Sequence, residues 1–348
     1  SMFRGDPQLS GQTAEPLAGE LQPLWVYEAG EGIEATAALA GGVAYVGALD
    51  GRLHAVDLET GVARWTYKAQ AEIKSSPAVA QGVVFFGDGS GTFHAVDAAT
   101  GQRRWAFQAG AEIISSPTPV GGRVLFGSHD GALYALGAAD GKLAWKVETE
   151  SYVYASPAIS GDRVVFTGCD GYLRVVELSS GKELRRLTLG GYVGASPALR
   201  GNRAYVGTFD NQVLAVDIAA GRVLWRYEPP TRKFPFLSSA ALAADRLIVG
   251  GRDSQVHAIG LASGKPLWSY AAKGKVDASP VIAGSRVFAA SAGGELVALR
   301  LDNGEAVWKF DLGAPLIGSP AVAGGRLVLG TTGGQLYCFG PPPARITR

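Results

Sequence analysis

Hydrophobic and polar residues alternate in a short segment that recurs eight times along the chain. One copy is TFHAVD, at residues 92 to 97. A period of two places alternate side chains on opposite faces of a β-strand, so one face of this segment is expected to lie in a core. The apolar column of that face reads Leu53, Phe93, Leu133, Leu173, Val213, Val256, Leu296 and Leu336. The column two residues later is mostly small, which lets neighbouring sheets approach closely, and reads Ala55, Ala95, Ala135, Val175, Ala215, Ala258, Ala298 and Cys338.

A tryptophan column marks the same repeat, with a spacing of 40 residues except for 43 between Trp225 and Trp268. It reads Trp25, Trp65, Trp105, Trp145, Arg185, Trp225, Trp268 and Trp308, and these seven tryptophans are all that the chain contains. Each repeat reads as four short strands, for example SSPAVA, GVVFFG, TFHAVD and RRWAFQ, which are joined by turns rich in Gly and Asp. We name them A to D in chain order. A unit of four antiparallel strands that cannot bury both faces alone predicts an all-β fold, an eight-bladed β-propeller.

The two ends of the chain complement each other. The last repeat supplies three strands within residues 319 to 340, whereas residues 21 to 29, LQPLWVYEA, read as a strand D with no A, B or C before it. Pairing the two completes the eighth blade and removes an exposed sheet edge. We therefore predict an extended N-terminal segment (1–19) outside the ring, one propeller domain (20–340) and a C-terminal tail (341–348).

The unit DG.L.A.D..TG...W resembles the pyrroloquinoline quinone (PQQ) enzyme repeat, in which the Trp docks on the adjacent blade. The resemblance covers about residues 20 to 340. It implies one of two branches of that family. Quinoprotein dehydrogenases are longer and have adjacent cysteines, a calcium site and a catalytic Asp in the central funnel. The other branch comprises cofactor-free eight-bladed propellers such as the outer-membrane assembly lipoprotein BamB.

The cysteines favour the second branch. Cys169 and Cys338 are not adjacent, and they fall on blades four and eight, across the ring from each other and beyond the roughly 7 Å that a disulfide spans. We therefore expect a non-catalytic scaffold that binds a protein partner in the cell envelope and has no cofactor and no metal site. Two alternatives stay open: a small PQQ-dependent sugar or alcohol dehydrogenase, and an extracellular sensor domain of a larger receptor or kinase.

The composition and the chain ends bear on nucleic-acid binding, membrane association and location. The chain has 32 Lys and Arg against 31 Asp and Glu, with no basic run of the kind that binds nucleic acid. No apolar stretch reaches the roughly 18 residues of a membrane span. The resemblance implies a periplasmic or secreted monomer. Ser1 before Met2 is interpreted as a tag remnant, and the presence of a signal peptide or lipid anchor upstream stays open.

Two surfaces stand out as candidates for partner binding. The B–C and D–A connections emerge on one face of a propeller, and aromatic and basic residues gather there over blades four to six. The predicted patch at this funnel mouth comprises Tyr152, Tyr154, Tyr192, Arg232, Lys233 and Phe234. The alternative is that each Tyr only covers its own blade end. The second candidate is the outer rim of blade four, where Arg185 replaces Trp and Arg186 follows it; local decay, offset by packing of the Arg stem, is the alternative.

The remaining chemistry-bearing residues are interpreted as structural. His54, His94 and His257 share one strand C column on different blades, so their rings cannot converge within the 2.1 Å or so that a zinc ligand requires. Asp50, Asp130, Asp170 and Asp210 occupy hairpin turns, where Asp is favoured for turn chemistry.

Overall fold

The structure is a computed structural model that describes residues 1–13, 15–17, 19–231 and 233–342. Those residues form 33 β-strands and no helix, arranged in eight sheets. The sheets confirm the predicted all-β architecture of eight four-stranded antiparallel blades. The described part of the chain has no helix of the length and apolar character needed to cross a membrane.

The strands follow one another in the order A, B, C, D through blades one to seven. Two strands, β1 (Gln12–Thr13) and β2 (Gln22–Glu28), precede blade one. Blade one is β3 (Ala38–Ala40), β4 (Val43–Gly47), β5 (Arg52–Asp57) and β6 (Ala63–Lys68). Blade two is β7 (Ala78–Ala80), β8 (Val83–Gly87), β9 (Thr92–Asp97) and β10 (Arg103–Gln108). Blade three is β11 (Thr118–Val120), β12 (Arg123–Gly127), β13 (Ala132–Gly137) and β14 (Leu143–Glu148). Blade four is β15 (Ala158–Ser160), β16 (Arg163–Thr167), β17 (Tyr172–Glu177) and β18 (Glu183–Thr188).

The second half repeats this arrangement. Blade five is β19 (Ala198–Arg200), β20 (Arg203–Gly207), β21 (Val213–Asp217) and β22 (Arg222–Tyr227). Blade six is β23 (Ala241–Leu242), β24 (Arg246–Gly250), β25 (Gln255–Gly260) and β26 (Pro266–Ala271). Blade seven is β27 (Val281–Ala283), β28 (Arg286–Ala290), β29 (Glu295–Arg300) and β30 (Ala306–Asp311). Blade eight is β31 (Ala321–Ala323), β32 (Arg326–Gly330), β33 (Gln335–Gly340) and β2.

Pairing of β2 with β33 closes the ring, as the sequence predicts. The two strands are antiparallel, with Gln22 opposite Gly340, Trp25 opposite Cys338 and Glu28 opposite Gln335. The apolar strand C column is fully buried, and so is the small column beside it, in which the Cys338 side chain is completely enclosed. Both cysteines are free thiols.

The tryptophans join neighbouring blades. The Trp105 indole Nε1 donates a hydrogen bond of 3.1 Å to the Ala138 carbonyl of the next blade, and its ring lies on Gly141. A Cβ added to Gly141 would meet the ring at 2.5 Å, and the φ of +70° also favours glycine there. Equivalent indole-to-carbonyl bonds of 2.9 to 3.1 Å are made by Trp25, Trp65, Trp145, Trp225, Trp268 and Trp308.

The position of the N-terminal segment corrects the prediction that it lies outside the ring. Residues 1–13, which we call the plug, run against the innermost strands of the blades. The plug carbonyls accept the amide hydrogen of the second residue in five A strands, at 2.6 to 2.9 Å. The pairs are Val79 with Ser1, Ile159 with Pro7, Leu199 with Gln8, Leu242 with Ser10, and Ile282 with Gly11. In blade three the same position is Pro119, which has no amide hydrogen to satisfy.

A physical reason explains this placement. Strand A is the inner edge of every blade, and an uncovered edge leaves amide groups unpaired. The Arg4 side chain secures the plug, since its guanidinium donates to the Pro280 and Ala240 carbonyls at 2.6 and 2.8 Å. Complete burial lowers the pKa of Arg4 to about 9, against the opposing effect of Asp6, so the group stays protonated at neutral pH. Leu9 is fully buried in the core of blades four and five.

Candidate functional site

A funnel opens on the face that carries the B–C and D–A connections. Its volume is about 480 Å³, and residues from all eight blades line it. The plug forms part of its lining through Phe3.

A ring of hydroxyl groups surrounds the lower wall of this funnel. The hydroxyl oxygen on each blade accepts the backbone amide hydrogen of the equivalent residue on the preceding blade, at 2.9 to 3.3 Å. The eight residues are Thr36, Ser76, Ser116, Ser156, Ser196, Ser239, Ser279 and Ser319. The circle is complete, because the Ser319 amide donates back to the Thr36 hydroxyl. Sequence reasoning missed this ring, although the recurring Ser-Pro pair at a spacing of 40 carries its signal.

The upper wall is aromatic on blades three to five. His129 stacks on Tyr152 and on Tyr154, with ring centroids 4.8 and 5.8 Å apart. Tyr192 meets Phe209 edge to face at 6.4 Å. Tyr152, Tyr154 and Tyr192 expose 55%, 43% and 63% of their surface. Partial removal from water raises the pKa of Tyr154, and the Glu34 carboxylate adds to the shift.

Charged groups in the funnel lining and beside it are mostly paired with each other. Arg252 binds both carboxylate oxygens of Asp277, at 2.9 and 3.0 Å, and this hydrogen bonding raises the pKa of Arg252. On blade two, Lys74 lies 3.5 Å from both Glu72 and Glu112. Burial opposes protonation of Lys74, but the two carboxylates outweigh burial and raise its pKa.

Glu34, on blade one, differs from the other acidic groups of the funnel. It lines the funnel and is half-buried, yet among the described residues its side chain has no hydrogen bond or ion pair.

The structure brings together part of the predicted patch. Tyr152 and Tyr154 share the His129 ring, and Tyr192 lies on the next blade. Phe234, in the insertion before blade six, exposes 48% of its surface, and Lys233 pairs with Glu228 at 2.8 Å. Arg232 lies outside the described residues. Phe209 and Arg252 are funnel residues that the sequence did not reveal as such, because only the tertiary packing of the B–C turns places them there.

On blade four, Arg185 takes the place of an indole. Its Nε donates to the Ala219 carbonyl of blade five at 3.1 Å, and its stem lies against Gly221 as the tryptophans lie against their glycines. Arg186 binds Glu183 at 3.0 Å and packs over the Tyr172 ring. The buried Arg174, in the histidine column, packs over the same Tyr172 ring and binds Asp170 at 2.7 Å.

The remaining histidines form bonds between blades. The Tyr67 hydroxyl of blade one meets His94 Nδ1 of blade two at 3.1 Å, and the other ring nitrogen of His94 lies 2.9 Å from Asp88. His257 makes the equivalent contacts on blade six, with the Tyr227 hydroxyl of blade five and with the Asp253 carboxylate. Within the described part of the chain, no three His, Cys, Asp or Glu side chains converge as metal ligands would.

Solved structures with this fold have different activities. The crystal structure of BamB from Moraxella catarrhalis matches with a TM-score of 0.78 at 18% identity, over 92% of this chain and 99% of that chain. Quinohemoprotein alcohol dehydrogenase from Comamonas testosteroni matches with a TM-score of 0.83 at 15% identity, over 100% of this chain and 81% of that chain. A europium-containing methanol dehydrogenase matches with a TM-score of 0.83 at 12% identity, over 97% of this chain and 98% of that chain. At these identities the likeness shows the fold alone. No curated protein matched the sequence.

The dehydrogenase likeness raises the question whether the funnel fits a quinone with its metal ion. Asp277, the aspartate of the funnel lining, is held by Arg252, and Cys169 has no neighbouring cysteine. Phe3 of the plug also lines the cavity. These side chains do not supply the oxygen ligands that a calcium ion prefers, six or more in number, so the residues present do not fit the group.

The family comparison covers nearly the whole sequence. Residues 12–152, 94–182, 153–279 and 252–341 match the PQQ_2 family, whose description is outer membrane protein assembly factor BamB. Together the four matches span all eight blades. The chain therefore belongs to this BamB-type family of PQQ-like propellers.

Proposed function

We propose that this protein is a non-catalytic, protein-binding scaffold of the bacterial cell envelope, and that the funnel mouth over blades four to six is its binding surface. The observation that carries the proposal is the distribution of exposed aromatic side chains. The aromatic residues described as exposed are Tyr152, Tyr154, Tyr192, Phe209 and Phe234, and all five belong to the connections of blades four to six on the funnel face.

Such a cluster is what a protein interface requires. Tyrosine buries a large area with few rotatable bonds and keeps a polar end, so it is enriched among residues that dominate binding energy. The connections are held by a closed ring of hydrogen-bonded blades, which keeps the ordering cost of binding low. The envelope location rests on the description of the family. The outer rim at Arg185 and Arg186 is the weaker proposal, because both side chains already have partners within the chain.

The test replaces the three tyrosines and compares partner capture by this variant with capture by a control variant. The control loses a similar amount of exposed apolar surface elsewhere on the ring. The variant Tyr152→Ser, Tyr154→Ser, Tyr192→Ser is expected to abolish capture of the envelope partner by the immobilised ring. The control variant Leu143→Ser, Leu184→Ser, Leu267→Ser removes exposed apolar side chains from the outer D strands and is expected to retain capture. A photo-reactive residue in place of Tyr192 identifies the partner, with the same residue at Leu143 as the control. Equal capture by both triple variants, with both folded, contradicts the proposal.

The enzymatic alternative has a direct assay. Because the funnel residues do not fit a quinone with calcium, the protein mixed with PQQ and calcium is expected to oxidise neither alcohols nor sugars. Turnover that depends on both additions, and that ends when Asp277 becomes Asn, would assign the protein to the dehydrogenase branch instead.

A further inference from the structure

We propose that the funnel receives an arginine side chain of the partner protein, with its guanidinium between the carboxylate of Glu34 and the ring of Tyr154. This inference rests on the proposed scaffold function and specifies the chemistry of the partner. Four features of the described part of the funnel carry it: an unpaired carboxylate, an exposed aromatic ring, cations that are already bound, and an apolar wall.

The unpaired carboxylate is the first feature. Glu34 is half-buried in the funnel wall, and no described side chain or amide binds its oxygens. Removal of a carboxylate from water is unfavourable unless a cation or hydrogen-bond donors compensate. The nearby cations among the described residues do not do so, since Arg252 is bound to Asp277, and Lys74 lies between Glu72 and Glu112.

The charge of the lining agrees with a cationic ligand. Among the described residues of the lining, the carboxylates are Glu34 and Asp277 and the cation is Arg252, which leaves a net charge of −1 (two negative, one positive). Because Arg252 and Asp277 neutralise each other, the excess negative charge lies at Glu34. A guanidinium that enters the funnel would neutralise it.

Tyr154 supplies the aromatic surface. It lines the same cavity as Glu34 and leaves 43% of its surface exposed. The Glu34 carboxylate is near enough to contribute to the raised pKa of the Tyr154 phenol. A guanidinium is planar and stacks on an aromatic ring while it also binds a carboxylate, which an ammonium group does less well. This combination favours arginine over lysine.

The wall of the funnel suits the stem of an arginine as well as its charged end. Phe3 of the plug and the residues of the hydroxyl ring all line this cavity. Ile317 and Leu237 line the wall with apolar surface, against which the methylene stem of an arginine packs. The aromatic patch would then contact the backbone around that arginine.

A titration with a small arginine compound tests the inference directly. The probe is N-acetylarginine methylamide, and its uncharged isostere N-acetylcitrulline methylamide is the control. The readout is the set of isoleucine methyl resonances, in which Ile114 and Ile317 report on the funnel. We expect saturable shifts of these two methyls with the arginine compound, and affinity about tenfold or more lower for citrulline, which corresponds to about 1.4 kcal/mol.

Variants then assign the contact. Glu34→Gln is expected to lower the affinity for the arginine compound to that of citrulline. Glu305→Gln, an equal charge change in an exposed turn of the opposite face, is expected to leave it unchanged. Tyr154→Phe retains the ring and is expected to bind nearly as well as the parent, whereas Tyr154→Ser is expected to bind several-fold more weakly because the stacking is lost.

The outcomes separate this inference from the proposed function. Absence of saturable shifts, equal binding of arginine and citrulline compounds, or an unchanged affinity in Glu34→Gln overturns the arginine site. If the tyrosine triple variant nevertheless loses its partner, the scaffold function stands without the arginine. If arginine binds but the triple variant retains its partner, the binding surface lies elsewhere.

Discussion

At the scale of single residues, neighbouring blades are joined by an indole on one side and a glycine with a carbonyl on the other. The hydrogen bond from Trp105 to Ala138 satisfies the indole nitrogen at the blade edge, and the absent side chain of Gly141 leaves room for the ring. Arg185 makes the corresponding contact with Ala219 and Gly221, so the break in the tryptophan column preserves the junction with different chemistry.

The tryptophan column leads to a first prediction. Only 8% of the Trp145 surface is exposed. Trp145→Ala should therefore lower the free energy of unfolding by about 3 to 5 kcal/mol, the usual cost of removing a large aromatic residue from a core. Arg185→Trp should be tolerated, because the indole would lie on Gly221 as in the other blades. Denaturant unfolding of both variants measures the difference. A loss in Arg185→Trp comparable to that in Trp145→Ala would show that the Arg185 contact is specific.

A glycine pair isolates the ring contact. Gly141 and Gly161 have similar φ angles, +70° and +63°, but a Cβ at Gly141 meets the Trp105 ring whereas a Cβ at Gly161 meets nothing within 4 Å. Gly161→Ala should therefore cost only the backbone strain of about 1 to 2 kcal/mol. Gly141→Ala should cost about 1 to 3 kcal/mol more because of overpacking. Equal losses in thermal or denaturant unfolding would refute the role of the ring.

At the scale of whole elements, two segments before blade one complete the ring. Strand β2 covers the outer edge of β33 in blade eight, and the plug covers the inner edges of five blades. Both lie within the first 28 residues but act at opposite edges of the blades, so their contributions can be separated by deletion.

Deletion of residues 20–29 removes β2 and is expected to destabilise the whole propeller. Blade eight would then expose β33 as an unpaired edge, and Trp25 could no longer dock on blade one. We expect a lower melting temperature together with association of the opened rings, as measured by calorimetry and light scattering. A monomeric variant with the parent melting temperature would contradict closure through β2.

Deletion of residues 1–11 is expected to leave the ring closed and the channel open. The amides of Ile159, Leu199 and Leu242 lose their acceptors and should exchange with solvent much faster in hydrogen-exchange measurements. Arg4→Met is the milder variant, because it keeps much of the stem and removes the bonds to Pro280 and Ala240. Unchanged protection of the three amides in the deletion variant would show that other groups satisfy them.

At the scale of the whole molecule, titratable groups whose pKa values are shifted by burial and hydrogen bonding make the stability depend on pH. Burial alone would raise the pKa of Asp88, but bonds from His94 and Ser90 outweigh it and lower the pKa. The pKa of Asp170 is lowered in the same way, with Arg174 opposing burial. Burial lowers the pKa of His54, with Asp50 opposing the shift.

All three shifts have the same consequence in acid. A group whose pKa is lower in the folded state stabilises the fold above its unfolded pKa and loses this contribution as the pH falls. We expect the free energy of unfolding to decrease below about pH 6.5 through His54 and more steeply below about pH 4 through the aspartates. Asp88→Asn, which cannot be protonated there, should flatten the lower part of this profile in denaturant titrations. A parallel profile in the variant would exclude Asp88 as a contributor.

Much of the fold was predictable because the same pattern of apolar positions and turn residues recurs in all eight repeats. Alternation of apolar positions, glycine turns and the unpaired strands at the two ends each indicate a closed propeller, and the register of β2 with β33 confirms it. The candidate site was harder to predict from the sequence than the fold. The D–A connections could be assigned to one face, but Phe209 and Arg252 enter the funnel through turns whose side-chain directions depend on neighbouring blades.

The sequence by itself determined the number of blades, the strand order and the residues that face the cores, since these follow from a local period that every copy repeats. Only the tertiary structure decided where the plug lies, because its affinity for the channel arises from A-strand amides on blades far apart in sequence. The same holds for the hydroxyl ring, the Arg185 junction and the isolation of Glu34. Each depends on which groups of other blades come within hydrogen-bonding distance, and a linear pattern does not contain those distances.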